Sequence, residues 1–301
     1  MTTIMFSLVG EQPAPNVLPL RHFRPDKIAL VHTDLTADLA NRIAGVINAE
    51  FEVIRPFCKT EPYLVNKIRT ELTDYITTRI GDADLIFNLT GGTKTMEYAA
   101  LEVARQLKAQ AFYYQTEGNQ NLIHPYHFNT AGELVCETPK EAKTTLSIHE
   151  FLSLYVKEYC PAEERELTGK LFERNVLAVL TELGSDYEIL PNQRLIGLSS
   201  NVEVDWILSF RNTFAVGEVK LRGSKTRGID QLNTATEQRM LGTYTKKFLI
   251  TADSLHENDL DLAHVCRIST IVLPSGRQSS LSDTDRDKLI QTIRTVMEPK
   301  R

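Results

Sequence analysis

Apolar positions in the first part of the chain alternate between short continuous runs and stretches with helical spacing. The continuous runs, which predict buried strands, lie at residues 3–9, 27–32, 51–55, 84–89 and 111–115. The stretches with apolar side chains three and four residues apart, which predict amphipathic helices, lie at residues 34–49, 62–79 and 93–107. This alternation predicts an α/β domain with a doubly wound parallel sheet. Residues 122–128 and 133–138 are predicted to form a closing hairpin around the turn 129–132.

A polar segment at residues 138–145 separates this region from a second pattern. A helix is predicted over 146–159 and ends before Pro161. The elements predicted after it are a helix at 169–183, strands at 190–195, 202–210 and 213–221, a helix at 229–241, strands at 247–251 and 269–273, and a helix at 283–297. We therefore expect a first domain at 1–145, a linker helix at 146–166 and a second α/β domain at 167–301.

The predicted hairpin of the second domain brings two carboxylates together. The strands at 202–210 and 213–221 are separated only by Arg211-Asn212, which predicts a tight turn. If Phe210 pairs with Thr213, Asp205 lies opposite Glu218, and Cβ atoms of such a pair are about 4.5–5.5 Å apart. Two carboxylates this close repel each other unless a cation lies between them. Oxygen ligands of this kind favour Mg²⁺ or Mn²⁺.

Other residues add to this candidate catalytic site. Lys220 is on the same strand face as Glu218, where an ammonium can neutralise developing phosphate charge without binding the metal. Glu173 is on the apolar stripe of the helix at 169–183, where a carboxylate is costly unless it is paired or metal-bound. Gln231 lies early in the helix that follows the hairpin, within reach of the metal or the scissile phosphate. The chemistry is that of phosphodiester hydrolysis.

This ordered set resembles the PD-(D/E)XK restriction-endonuclease-like superfamily. The matching residues are Glu173, Asp205, Glu218-Val219-Lys220 and Gln231, although Val204 stands where the superfamily often has proline. The resemblance implies a metal-dependent nuclease with Asp205, Glu218 and Glu173 as metal ligands. The alternative is an exposed charged strand face. The apolar neighbours Trp206-Ile207-Leu208 and Val216-Gly217 argue against that alternative.

A glycine-rich turn, Thr90-Gly91-Gly92-Thr93-Lys94-Thr95, connects a predicted strand to a predicted helix in the first domain. Backbone N–H groups and the positive helix end suit a phosphate or another anion there, and Lys94 adds a full charge. The spacing is not that of an ATP-binding P-loop, which requires GxxxxGK[ST]. The alternative is a turn that only caps the helix, with Thr93 as the cap.

This turn, the opening LVGEQPAPNVLPL and the segment PDKIALVHT resemble the CARF domains of type III CRISPR systems, which have a Rossmann-like fold. Nearly the whole chain resembles CARF nucleases, which join such a domain to a PD-(D/E)XK domain. The resemblance implies a homodimer that binds a cyclic oligoadenylate, commonly cyclic tetra-adenylate, as its activator. The residues that it implies for binding are Gly91, Gly92, Thr93, Lys94, Thr33, Asp34, Gly10, Glu11 and Gln12. These segments all follow predicted strands, where open α/β sheets bind ligands.

Composition and charge limit the functional classes. The net charge of −5 argues against a protein that only coats nucleic acid, but not against an enzyme that cuts it. The four cysteines form no CxxC pair, so a structural zinc is not expected. Without a signal peptide or a membrane-length apolar run, we expect a cytoplasmic location and no membrane partner.

The nucleic-acid substrate, DNA or RNA or both, stays open at this stage. Two other functions also stay open. One is a ligand-independent repair or restriction nuclease, and the other is a nucleotide sensor without an active nuclease.

Overall fold

The computed structural model describes residues 2–117, 120–163, 169–197, 201–221, 225–237, 240–242 and 244–298. The chain divides into two compact units, Met1–Thr145 and Leu146–Arg301. Among the described residues, no helix is both long and apolar enough to cross a membrane.

The first unit is a largely parallel sheet with helices packed on it. Its elements in chain order are β1 (Thr3–Leu8), α1 (Ala14–Phe23), β2 (Lys27–His32), α2 (Ala37–Ile47), β3 (Glu52–Val53), β4 (Cys58–Lys59), α3 (Val65–Arg79), β5 (Asp84–Asn88), α4 (Lys94–Leu107), β6 (Gln110–Glu117), β7 (Gln120–Phe128), β8 (Leu134–Cys136) and β9 (Lys140–Glu141). The strand order is β3-β2-β1-β5-β6-β7-β8, with β4 beside β2 and β9 beside β7. Strands β2, β1, β5 and β6 run parallel, and β7 is antiparallel to β6.

The centre of this sheet is buried on both faces, which explains its continuous apolar runs. Strand β1 is fully buried beyond its first residue. The ring of Phe6 stacks on Phe87 of β5 with centroids 5.2 Å apart. Met96 and Ala100 of α4 belong to the same buried cluster. The sheet therefore holds the ends of β1, β2 and β5 in fixed positions.

Helix α1 is the main element that the sequence pattern did not predict. It contains Pro15 and Pro19, which weaken a helical interpretation of the sequence. Pro15 is in the first turn, where proline fits because the missing N–H needs no partner. The polar segment at 138–145 also contains a strand, because β9 pairs with β7.

The second unit has its own mixed sheet. Its elements are α5 (Ile148–Tyr155), β10 (Glu158–Pro161), α6 (Lys170–Leu180), β11 (Tyr187–Ile196), β12 (Asn201–Phe210), β13 (Thr213–Lys220), α7 (Lys225–Ala235), β14 (Lys246–Thr251), α8 (Glu257–Val265), β15 (Ile268–Val272) and α9 (Asp283–Met297). The strand order follows the chain from β10 to β15. The pairs from β10 to β13 are antiparallel, and β13, β14 and β15 are parallel.

The core of this unit surrounds the hairpin β12–β13. Trp206, Phe172 and Phe248 are fully buried in one cluster to which α6 and α9 also contribute. The Trp206 ring lies directly on Gly217, where an added Cβ atom would be only 1.9 Å from the ring. Glycine is required there because the indole ring occupies the space of a side chain.

The segment predicted as a linker helix has a different structure. The helix α5 ends at Tyr155, and β10 pairs with β11 as a strand of the second sheet. Val156, after α5, is in extended conformation, so the apolar spacing of 146–159 covers two elements rather than one. The end of the predicted linker, residues 164–166, lies outside the described residues, as do the first two residues predicted for the second domain. Helix α8 was also missed.

Candidate functional site

The hairpin β12–β13 has the register predicted from its two-residue turn. Phe210 pairs with Thr213, Ile207 with Val216, and Trp206 with Gly217. Arg211 has a φ of 55°, the left-handed conformation that tight hairpin turns require. Turn length and strand periodicity were therefore enough to predict the facing residues between Trp206 and Thr213 on the turn side of the hairpin, but the predicted pair of Asp205 with Glu218 does not form among the residues that the structure describes.

Regular pairing stops where the candidate catalytic residues begin. Asp205 and Glu218 are the next opposed positions, but within the described residues they form no ladder pair. Instead, the Val219 N–H donates a hydrogen bond to Asp205 Oδ2 at 2.6 Å. From Ala215 to Lys220, β13 pairs in parallel with β14. Pairing between the two strands thus ends at the site. The Asp205 carboxylate accepts the Val219 N–H in place of a backbone carbonyl of β12.

Glu218 is a buried carboxylate, only 2% exposed. The Lys220 ammonium donates a hydrogen bond to Glu218 Oε1. The other oxygen, Oε2, is buried and has no hydrogen-bond partner among the residues that the structure describes. A buried carboxylate oxygen without a donor is costly, so the arrangement fits an additional cationic ligand.

The shifted pKa values of the two carboxyl groups also favour a cationic ligand. Burial, followed by the charge of Asp205, raises the pKa of Glu218 from its ordinary value to about 8. Burial also raises the pKa of Asp205, to about 6, although the charge of Lys220 and the Val219 N–H act in the opposite direction. Each carboxylate is thus destabilised in its charged form. A bound divalent cation would reverse that effect by favouring both charged forms.

Glu173 lies in the first turn of α6 and is partly buried, one position from the fully buried Phe172. Its charge raises the pKa of both Asp205 and Glu218, which places it in the same electrostatic environment. However, no three or more His, Cys, Asp or Glu side chains of the described residues are arranged so that they could hold a metal ion. The structure therefore brings Asp205, Glu218 and Lys220 together and leaves Glu173 at the margin of the group.

Helix α7 packs closely against this site at Gly228, which has no side chain. A Cβ atom added to Gly228 would lie 3.6 Å from both Glu218 Cγ and Lys220 Cε, and 3.0 Å from Leu249 Cδ1. Gln231 is three residues further along α7 and so shares this helix face. Its buried Oε1 has no hydrogen-bond partner within the described part of the chain. Sequence reasoning missed Gly228, because the predicted helix began at residue 229, whereas the observed helix α7 begins at Lys225.

In the first unit, the predicted ligand segments meet at one edge of the sheet. Gly10 comes after β1, Thr33 directly after β2, and Gly91 after β5. Strand β1 pairs in parallel with both β2 and β5, so their carboxyl ends lie side by side. From β1 the chain continues outward to β2 and β3, and from β5 it continues outward in the other direction to β6. This is the switch point at which open α/β sheets bind ligands.

Two of these segments pack backbone against backbone. A Cβ atom added to Gly91 would be 1.9 Å from the Leu8 carbonyl oxygen and 2.9 Å from Gly10 N. One on Gly10 would be 2.8 Å from Gly92 N. Gly92 also has a φ of 75°, which favours glycine. The three glycines therefore allow the two loops to touch, and no side chain fits between them.

The first turn of α4 follows this contact. Thr93 is the N-cap: its hydroxyl accepts the Met96 N–H at 3.2 Å and donates to the Pro62 carbonyl at 2.6 Å. The capping function considered for Thr93 is therefore observed, and the ligand contact predicted for it stays a prediction. Lys94 is exposed at the first helical position. The helix end and Lys94 together give this edge a positive potential.

The remaining predicted ligand residues are at the same edge in different environments. Thr33 is buried and caps a short 3-10 turn, Asp34–Thr36. Asp34 is exposed and forms an ion pair with Lys59 at 2.7 Å. Glu11 is exposed, and Gln12 is partly buried just before α1.

A buried polar network beneath the loops was not predicted. Asn88 donates to the Ser7 hydroxyl at 3.0 Å and accepts the Thr90 hydroxyl at 2.7 Å. Ser7 in turn donates to Asn16 Oδ1 of α1 at 2.9 Å. The signal available in the sequence was a polar residue inside each of two otherwise apolar strands. The network ties α1 and the loop at 90–94 to the central strands.

The comparisons with known proteins agree with this architecture. Residues 4–151 match the family model of the Card1 CARF domain. Among curated proteins, none matches the sequence.

Solved structures are similar over most of the chain. Can2 from Sulfobacillus thermosulfidooxidans, in complex with cyclic tetra-adenylate, has a TM-score of 0.74 at 15% identity and covers 97% of this chain and 98% of its own. Protein VC1899 from Vibrio cholerae has a TM-score of 0.71 at 13% identity, covering 98% and 97%. A type III CRISPR defence DNA nuclease activated by cyclic oligoadenylate has a TM-score of 0.57 at 16% identity, covering 84% of this chain and 45% of its own.

At these identities the solved structures show the fold, and the family model identifies the first unit. The predicted fold class, a Rossmann-like sheet followed by a second α/β domain, is confirmed. Residues 4–151, which include nearly all of the first unit, match the Card1 CARF domain family, and the chain as a whole is similar in fold to Can2.

Proposed function

We propose that this protein is a cyclic-oligoadenylate-activated, metal-dependent nuclease of type III CRISPR defence. The first unit senses the cyclic oligoadenylate, which acts as the messenger. The second unit hydrolyses phosphodiester bonds in DNA, RNA or both. The observation that carries the nuclease part is the buried Glu218 carboxylate. Its Oε2 has no partner within the described residues, and Asp205 and Lys220 lie beside it.

Asp205 and Glu218 are the residues that would hold Mg²⁺ or Mn²⁺, with Glu173 as a further ligand. The donor set fits such a cation because it consists of carboxylate oxygens, one of them buried without a donor in the described part of the chain. When bound, the cation lowers the pKa of a water molecule and polarises the phosphate. The Val219 N–H holds the Asp205 carboxylate in place. Lys220, beside Glu218, would stabilise negative charge on the phosphate. Gln231 orients the water or the phosphate from α7.

The sensing part rests on the edge formed by Gly10, Gly91, Gly92 and Lys94. It offers backbone N–H groups, a helix end and an exposed ammonium, which suit the phosphates of a nucleotide ring. Can2, which has this fold, was solved with cyclic tetra-adenylate. We propose the same ligand here, bound by a homodimer, because a two-fold cyclic ligand suits two copies of one edge.

The test is a cutting assay with purified protein, Mn²⁺ and a mixture of supercoiled plasmid, single-stranded DNA and single-stranded RNA. Each reaction is run with and without cyclic tetra-adenylate. We expect cutting only with the messenger, and the polymer that disappears identifies the substrate. Omission of Mn²⁺, with a chelator present, should stop the reaction.

The two other functions give different results in this assay. A ligand-independent nuclease cuts equally without the messenger, which would contradict the sensing part. A sensor without an active nuclease binds the messenger in a calorimetric titration and cuts nothing, which would contradict the catalytic part.

A further inference from the structure

The chain passes from the first unit to the second between Thr145 and Leu146, and the residues just before this boundary are held by α1. The Thr144 hydroxyl donates to the Leu18 carbonyl at 2.9 Å. Arg21 donates from Nη1 to the Thr145 carbonyl at 2.8 Å, and its guanidinium also pairs with Glu50. Helix α1 begins just after the Gly10–Gln12 segment. The element that follows a predicted ligand segment therefore holds the last two residues of the first unit.

The residues just after the boundary are held by the catalytic hairpin. The Leu146 N–H donates to Asn212 Oδ1 at 3.0 Å, and Asn212 is the second residue of the β12–β13 turn. The Ile148 N–H donates to Glu188 Oε2 of β11 at 2.8 Å. Phe151 of α5 stacks on Phe214 of β13 with centroids 3.8 Å apart. The first residues of the second unit are thus attached to the turn end of the hairpin.

The hairpin connects this turn to the carboxylates. Pairing is continuous from Phe210–Thr213 to Trp206–Gly217 and ends at Asp205 and Glu218. At about 3.3 Å per residue, the turn and the carboxylates are separated by roughly 20 Å of paired strand. A continuously paired hairpin is stiff, whereas the strands separate at the carboxylates. A displacement of the turn would therefore be carried along the hairpin as far as Asp205 and Glu218.

We propose that Asn212 is a positioning residue that couples messenger binding to the catalytic carboxylates. Its Oδ1 holds the Leu146 amide, so that a movement of α1 reaches the hairpin through the chain at 144–146. The proposal rests on the proposed function and specifies how the same catalytic site is regulated. Each hydrogen bond in this path lies within one unit, and the covalent chain joins the two halves.

Two variants distinguish the loss of the Asn212 Oδ1 acceptor from a disturbance of the turn itself. Asn212→Gly removes Oδ1 but keeps a residue that tight turns favour, so the hairpin is expected to fold. Asn212→Asp keeps an acceptor at the same position. Arg211→Ala is the matched control, because Arg211 belongs to the same turn but its guanidinium lies over the Phe210 ring, 5.1 Å from the centroid.

The full-length chain is tested with three readouts. Calorimetry gives the affinity for cyclic tetra-adenylate. The activation ratio is the cutting rate with the messenger divided by the rate without it. The emission of Trp206, the only tryptophan, reports the hairpin directly, because Trp206 adjoins Asp205 in β12 and its ring lies on Gly217 of β13. A merely structural effect of the substitution on the turn would not remove the emission response to the messenger.

We expect Asn212→Gly to bind the messenger as the unsubstituted chain does, to lose about tenfold in activation ratio and to lose the Trp206 response. Asn212→Asp and Arg211→Ala should retain both. An activation ratio of Asn212→Gly equal to that of the unsubstituted chain would overturn the coupling, and so would an equal loss in Asn212→Asp. Failure of the unsubstituted chain to bind the messenger or to cut is seen in its own titration and assay, and it would overturn the proposed function instead.

Discussion

The two candidate sites are built from different groups of the chain. The edge of the first unit is built from backbone: Gly10 and Gly91 touch, and the polar groups beneath them, such as Asn88 and Ser7, are hydrogen-bonded to one another. The site of the second unit is built from side chains. It buries Glu218 with one oxygen unpartnered among the described residues, and the pKa of this carboxyl is raised.

This difference indicates how each site responds to its ligand. The glycine edge is complete before a ligand arrives, so binding there needs little reorganisation. The carboxylate site is destabilised by its own charges, so a cation bound there would stabilise it. Substitutions should therefore impair the first site through shape and the second through charge.

The largest expected effect is on the second site. Asp205→Asn or Glu218→Gln keeps the side-chain volume but removes a charged ligand, and the cutting rate should fall by at least about a thousandfold. Messenger affinity, measured by calorimetry, should not change. Asp261→Asn is the matched control, because Asp261 is exposed on α8 and does not contribute to the shifted pKa of either carboxyl group, and it should cut normally. Normal cutting by either ligand variant would refute the catalytic assignment.

The close backbone contact between the two loops of the first site is tested at Gly91. An alanine there would bring Cβ against the Leu8 carbonyl, so Gly91→Ala should lower the free energy of unfolding of the first unit by about 1–3 kcal/mol and weaken messenger binding. Thermal unfolding and calorimetry measure the two effects. Gly45→Ala is the control, because its Cβ would meet nothing within 4 Å in helix α2, and it should stabilise the unit slightly. Unchanged stability of Gly91→Ala would mean that the loops do not touch.

Charge in the first unit contributes less. Lys94→Ala should weaken messenger binding by about tenfold, because it removes one charge-assisted contact while the backbone contacts remain. The loss should shrink as salt increases. Calorimetric titrations at low and high salt measure it, with Lys67→Ala as a control on α3. An equal affinity for Lys94→Ala and the unsubstituted chain would exclude Lys94 from the site.

The smallest effect is a dependence of stability on pH in the absence of metal. Because the folded pKa of Glu218 is raised from its ordinary value of 4.5 to about 8, the folded chain retains a proton that the unfolded chain loses between these values. The stability of the metal-free protein should therefore fall as pH rises through this window, measured as a lower unfolding midpoint at the higher pH. Glu218→Gln or added Mg²⁺ should flatten the profile. A profile that rises over the same window would contradict the charge argument.

Most of the local structure could be predicted from the sequence. Strand β2 and helix α9 lie at the predicted residues because continuous apolar runs and three-to-four spacing directly reflect two-sided and one-sided burial. The register of β12–β13 followed from a two-residue turn. The same spacing rules did not predict α1, which contains two prolines, or the end of α5 before Val156. Tertiary packing overrides local preference at both places.

The sequence by itself determined the fold class, the set of chemically capable residues and which of them share a strand face, because side-chain periodicity and turn length are local properties. Only the tertiary structure decided that Asp205 binds the Val219 N–H instead of pairing with Glu218, and that Glu218 Oε2 is buried without a partner in the described part of the chain. It also decided that Gly228 brings α7 onto the site and that Asn212 holds Leu146. These contacts join residues far apart in the chain. Burial and charge at such contacts depend on the packing of several elements at once, and no local pattern encodes that packing.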